Sequence, residues 1–454
     1  MPSNRTSGRS RRVAAALSLS ATVALLAGAC TGTSSSGSNT DDSASGKDVT
    51  ITFWHGWSQD NETKAINDNL ANFQKLHPNI HVKVVANVSD DKSEQALRAG
   101  GTDAPDVVSS FTTDNVGKFC ASKVWSDLTP FLKKDGIDPS STFPAAMLQY
   151  SQFQGNQCSL PLLGDAYGLY YNKKAFAAAG ITAPPKTLSE FDADAVKLTI
   201  ADGDGYKQLG FMPTYHGYEA PPAHFLGQWG TTYFGKDGKS NIATDPTVTE
   251  MLTWQKNLIA KLGGFDKLEK YRTTFGDEFS AKNPFETGQV AMAIDGEWRT
   301  ASIADDKPAD LDWATAPFPV PDALAATYGR GYQTGTIVGI ARTSQKQAAS
   351  WELVKYLTTD TDAVVSFANA IHNVPSTNAA LNSPKLNNDP NFKTFLDVAR
   401  NPNSSTTPAS INGGAYQVSL QNLGYSVESG KQTDLAAGLA ATAKEIDAAV
   451  DQAK

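Results

Sequence analysis

The sequence predicts an α/β protein, a parallel sheet covered by helices on both faces and divided into two lobes. Strand-like and helix-like segments alternate at short intervals from Val49 to Cys120, the pattern of parallel strands joined by helical crossovers. The 454 residues, 40% hydrophobic and 19% charged, can bury a large core and exceed one ordinary domain. Helical insertions between short strands also argue against a pure β architecture, and no internal repeat is present.

In chain order, Arg5, Arg9, Arg11 and Arg12 precede an apolar stretch over 13–29 that closes as Leu25-Leu26-Ala27-Gly28-Ala29-Cys30. A spanning helix needs roughly 20 apolar residues; this stretch is shorter and ends in small residues, as an export signal does. The run into Cys30 resembles a bacterial lipobox, where a peptidase cuts before a cysteine that carries lipid. Gly28 and Ala29 suit a narrow protease groove, and Ala27 stands where leucine is commoner. An ordinary secretory signal with a chance cysteine is the alternative. Ser10-Arg11-Arg12 carries part of a twin-arginine signal without its following hydrophobe, so the export route stays open. Residues 31–47 are Thr, Ser, Gly and Asp, too polar to offset their ordering entropy, and read as a tether.

The body then begins. Residues 49–54 are β-branched and aromatic, a strand. Ile66, Leu70, Phe73 and Leu76 stand at helical spacing in 62–76, ended by His77-Pro78. Strand 80–88, helix 93–99, strand 106–109 and helix 113–120 follow. After Leu160-Pro161-Leu162-Leu163 the character changes: 169–173 reads as strand and turn, and 176–180 as a short helix. Thr187, with Glu190 three residues on, caps the next helix. Residues 288–295 predict a strand approaching a loop, 351–357 a helix, and the Ala-rich tail after Asp434 another.

The formal charge is -8, and no Lys/Arg cluster follows the first dozen residues, which excludes nucleic acid as an expected partner. Loss of residues 1–29 would leave 35 basic against 47 acidic residues, a charge of -12. Attachment would then fall to acyl chains rather than to charge. With Cys30 lipidated, Cys120 and Cys158 remain. Outside the cytoplasm they can form a disulfide across 38 residues, and two buried thiols are the alternative. No second His or carboxylate cluster stands at metal-ligand spacing, so no metal or cofactor is expected. No GxxxxGK[ST] loop occurs, so ATP hydrolysis would belong to another subunit.

Several stretches carry a family resemblance: Ile51-Thr52-Phe53-Trp54-His55-Gly56, Ala104-Pro105-Asp106-Val107-Val108, Leu169-Tyr170-Tyr171-Asn172-Lys173, Phe285-Glu286-Thr287-Gly288-Gln289-Val290-Ala291-Met292 with Asp295-Gly296-Glu297-Trp298, and the run 348–357. In this order, over nearly the whole chain after the tether, they resemble the extracellular solute-binding proteins of sugar importers, in Gram-positive lipoprotein form. The resemblance implies a periplasmic-binding-protein-like fold with a hinge and an interlobe cleft. It divides the chain into signal peptide 1–29, lipidated tether 30–47, lobe one 48–162 with 318–358, and lobe two 163–317 with 359–454. It further implies a monomer anchored on the outer face of the cell membrane, with permease subunits of an ABC transporter as partners.

A pyranose offers a C–H face and a rim of hydroxyls, so its site needs flat aromatic rings and fixed acceptors. Trp298, just past a strand, matches the family's sugar-stacking tryptophan, or packs against its own lobe, with Glu297 beside it. His55 and Trp57 follow the first strand, where open α/β sheets place ligands, and Gly56 would permit close approach. Asp114 aligns with a family hydroxyl acceptor, or caps a helix; Asp165 lies beside the first lobe crossing, or in a hinge turn. Tyr218 and Trp229 stand in aromatic loops of the second lobe, and Gly331 and Tyr332 in the glycine-rich returning part of lobe one, or in a simple surface turn. The expected function is capture of an oligosaccharide for import, without chemistry. A glycerol-phosphate-type ligand, a sensory sugar receptor and an extracellular glycosidase are the alternatives.

Overall fold

The computed structural model describes residues 46–101, 103–387 and 389–454. The signal, Cys30 and nearly all of the tether lie outside the described residues.

Strand β1, Val49–Trp54, pairs in parallel with β2, Ile80–Val85, and with β3, Val107–Ser110. The helices Asp60–Leu76 and Asp90–Ala99 make the crossovers. Gln59 and Glu62 form a capping box on the first, whose inner stripe is Ile66, Leu70 and Phe73. Here the expected elements stand within a few residues of their places.

The wholly parallel sheet does not. Strand β4, Leu160–Asn172, runs 13 residues. An antiparallel hairpin comprises β5, Ile200–Asp202, and β6, Gly205–Gln208. Strands β7, Met292–Gly296, β8, Trp313–Ala316, β9, Gln333–Ile340, and β10, Val374–Pro375, follow. The main sheet runs β10-β4-β9-β3-β1-β2, with β7 and β8 also on β4. Only the β1 pairings are parallel; β3–β9 and every pairing of β4 are antiparallel. Alternation with helices reveals a crossover, but a strand returning from far along the chain can enter in either direction.

Strand β4 divides its edges between two sets of partners. Its first half, to Ala166, pairs with β9 and β10; its second half, from Tyr167, pairs with β7 and β8. One continuous strand therefore joins the two halves of the sheet at residues 166–167.

The core has two apolar clusters. One gathers Phe53, Ile66 and Phe73 with Trp351, Leu357, Phe367 and Ile371. The helix Thr361–Ile371 packs on the helix Asp60–Leu76 and gives Ala363, Phe367, Ala368 and Ile371 to this cluster, with Val364 and Val365 in the other. The other cluster fills the space around β4, β7 and the helices Leu188–Leu198, Pro222–Trp229, Pro246–Lys261 and Ala415–Glu428. A disulfide joins Cys120 to Cys158, with Cα atoms 5.7 Å apart. No helix of the described residues is long and apolar enough to cross a membrane.

Candidate ligand site at the strand handover

Where β4 changes partners, the backbone leaves polar groups that the ladder cannot satisfy, and side chains take them up. The Ala166 N–H donates to Glu297 Oε2 at 2.8 Å. Asn373, just before β10, donates from Nδ2 to Asp165 Oδ1 at 2.7 Å and to Glu297 Oε1 at 2.8 Å. Two carboxylates and one carboxamide thus tie β4, the end of β7 and the start of β10. Burial pushes Asp165 up to about 6 and Glu297 well above the usual carboxylate range; the neighbouring Asp165 raises Glu297 further.

An aromatic cluster surrounds this knot. The Tyr167 ring lies 4.0 Å from His224, 5.5 Å from Tyr332 and edge-on to Trp298 at 5.6 Å. His224 stacks on Tyr332 at 4.7 Å. Trp298 Nε1–H donates to the Tyr218 hydroxyl at 3.1 Å, and any Cβ at Gly296 would strike its indole. His224 Nδ1–H donates to the Glu219 carbonyl at 2.9 Å, and burial lowers this imidazole to about 4. A neutral ring bonded in that way keeps Nε2 as an acceptor. Burial, aided by the Asp295 charge, pushes Glu219 up to about 8. The rings therefore stand among groups able both to give and to accept hydroxyl hydrogen bonds.

Asp114 makes no cap bond to the helix Asn115–Ala121 that follows it. It accepts from Gln417 Nε2 at 2.7 Å and from Thr407 Oγ1 at 3.4 Å, and burial pushes it up to about 6. Thr407 in turn meets the Tyr332 hydroxyl at 3.2 Å, which links Asp114 to the ring cluster.

Of the residues singled out in the sequence, Asp165, Tyr218, Glu297, Trp298 and Tyr332 meet at this place, and Asp114 joins them through Thr407. His55, Trp57 and Trp229 do not. Trp57 is 2% exposed, wedged edge-on between Phe111 and Phe367. His55 lies in the same apolar surroundings between Phe53 and Trp57, and burial lowers it to about 4. Gly56 accommodates the Phe111 ring rather than an open approach. Trp229 ends the helix Pro222–Trp229 and packs on Trp254. Gly331 uses both backbone groups on the 404–405 segment.

Tyr167, Glu219, His224 and Asn373 were missed in the sequence, because each gains its place only through contacts distant along the chain. Phe111 and Phe279 were missed too. They are 46% and 71% exposed, and Phe279 sets its edge against Tyr218 at 5.2 Å. For Phe111 a signal existed, since it directly follows the C-terminal end of β3. Among the described residues, no group of three or more His, Cys, Asp or Glu is placed to hold a metal ion.

Residues 57–364 match the family model of the bacterial extracellular solute-binding proteins. A binding protein of Brucella abortus (strain 2308) is 28% identical over 218 residues, 47% of this chain and 50% of that protein, so the chain spans only half of this relative's length. The maltotriose-binding protein of Pyrococcus abyssi is 21% identical over 75% of this chain and 69% of its own. Among solved structures, CpMnBP1 with mannotriose bound superposes with a TM-score of 0.74 at 26% identity, covering 87% of this chain and 99% of its own.

Proposed function

The chain belongs to the bacterial extracellular solute-binding protein family, and from that premise we propose that it captures an oligosaccharide outside the cell and delivers it to the permease subunits of an ABC importer. The single observation that carries this reading is the cluster of Tyr167, Tyr218, Trp298 and Tyr332, set against Asp165, Glu219 and Glu297 where β4 changes partners. The half-exposed rings of Trp298 and Tyr218 take the C–H faces of a pyranose, and Asp165, Glu219 and the neutral His224 imidazole take its hydroxyls, while Glu297, buried and fully bonded, holds the knot together. The maltotriose-binding relative and the mannotriose-bound neighbour support the same ligand class.

The protein does no chemistry on the ligand in this reading. Glycoside hydrolysis requires an acid and a base free to flank the scissile bond. Glu297 is fully buried, and both its oxygens are already hydrogen-bonded. A glycerol-phosphate-type ligand would set a further anion beside Asp165, which disfavours it. A sensory receptor would use the same site with another membrane partner. Cys30 carries the lipid anchor, and residues 31–47 form the tether. In this reading lobe one comprises 48–162 and 318–358, and lobe two 163–317 and 359–454.

The test is a thermal-shift panel of maltose, mannose and galactoside oligosaccharides, followed by calorimetry. A ligand bound only by the folded state raises Tm, by about 2.7 kcal/mol of stability at a hundredfold excess over Kd. At least one series is expected to do so with one ligand per chain. A panel without any shift, or turnover of sugar by sub-stoichiometric protein, would sink the reading.

A further inference from the structure

Beside the ring cluster lies a cavity of about 290 Å³, bounded by residues 211–220, residues 272–285 and strand β7. Ligand pockets run from about 300 to 1,000 Å³, so this one suits a single sugar ring rather than a chain. Phe275, Phe285 and Tyr218 give it flat apolar walls. Asp295 and Glu278 give it acceptors. Asp295 receives the Gly296 N–H on Oδ1 and Arg299 Nε–H on Oδ2, both at 2.8 Å, and each oxygen keeps a further lone pair. Glu278 is half-buried, and no hydrogen bond reaches its carboxylate among the described residues.

The charge balance narrows the ligand class. Arg272 also lines the cavity, but Glu269 already holds its guanidinium through Nε at 3.0 Å and Nη2 at 2.8 Å. Arg299 holds Asp295 in the same way, so the Glu278 carboxylate is the unpaired charge on this wall, which disfavours an anion and leaves acceptors for neutral hydroxyls. Tyr218 links this cavity to the site described above: its ring lines the cavity, and its hydroxyl receives the Trp298 indole N–H.

We propose that this cavity is a separate subsite for one terminal neutral sugar ring, with Tyr218 standing between it and the ring stacked on Trp298. The proposal rests on the carbohydrate reading, and it makes the protein selective for chain length: a trisaccharide fills both places, whereas a disaccharide leaves the cavity empty.

The test compares disaccharide and trisaccharide partners, namely mannobiose with mannotriose, maltose with maltotriose and melibiose with raffinose, by calorimetry on the full chain. The wild-type protein is expected to bind one trisaccharide at least tenfold more tightly than its disaccharide. Ala293→Leu, which projects a larger side chain from the cavity wall, should remove that advantage and leave the disaccharide Kd unchanged. If this variant fails to fold, Glu278→Gln keeps the volume while weakening an acceptor, and should raise the trisaccharide Kd at least fivefold. Equal wild-type affinities for both lengths, or a trisaccharide Kd unmoved in the folded variant, would overturn the subsite and leave the carbohydrate reading standing. No sugar binding by the wild-type protein would overturn both.

Discussion

Trp298 is held on three sides: its N–H by the Tyr218 hydroxyl, its edge by Tyr167, and its approach to the backbone by the absence of a Cβ at Gly296. A ring fixed before the ligand arrives loses little rotamer freedom on binding. Trp298→Ala is therefore expected to weaken sugar affinity by about 2 kcal/mol or more, roughly thirtyfold in Kd. Unchanged calorimetric affinity in the folded variant would retire the assignment. Glu428 makes a separate prediction away from the ligand. It is buried, accepts from the Tyr215 N–H and from Gln255 Nε2, and burial pushes it up to about 8 from an ordinary value near 4.5. Between those values the unfolded chain loses this proton and the folded chain keeps it, so its contribution to stability falls as pH rises. His55 and His224, lowered to about 4, act oppositely up to about pH 6.5, which is why the test is a difference between proteins. Relative to wild type, Glu428→Gln should gain stability from pH 5 to pH 8 in urea titrations; a constant difference would count against the buried acid. At this scale the sequence revealed chemistry better than position. Trp298 and Trp229 both occupy glycine-containing surroundings, yet one meets the cluster and the other, 5% exposed, packs on Trp254.

Local elements were largely legible. The capping box of Thr187 and Glu190 begins the helix Leu188–Leu198 as its spacing predicts, and Asp434 caps the Ala-rich final helix Leu435–Gln452. These features depend on residues three or four apart, so the chain displays them directly. Strand β4 was underestimated, because Asp165 and Gly164 interrupt its apolar pattern while distant strands supply its partners. The disulfide fastens two such distant pieces, the helix Asn115–Ala121 and the approach to β4. Closing 38 residues, it is expected to contribute about 4 kcal/mol by loop entropy. Replacing both Cys120 and Cys158 by Ser should lower the urea-derived unfolding free energy by up to that amount. No loss would mean that the link is strained or the unfolded chain already compact.

For the whole molecule, the decisive feature is one strand shared by both halves of the sheet, with the carboxylate knot and the rings at its midpoint. A ligand held there touches both halves and can favour a closed arrangement only by the difference in its affinity for open and closed forms. Saturating sugar should therefore reduce the radius of gyration in small-angle scattering. An unchanged radius with full occupancy would rule out closure as the signal to a permease. The sequence by itself determined the α/β class, the order of the early strands and helices, the net negative charge, and the residue types suited to a sugar. Each of these is written in composition or in short-range period. Only the tertiary structure decided that the sheet is mixed, that Trp57 lies in the core, and that Tyr167, Glu219, His224 and Asn373 join Trp298. Strand direction, burial and the meeting of side chains all depend on contacts between distant segments, and periodicity says which face of an element is apolar without saying what that face will meet.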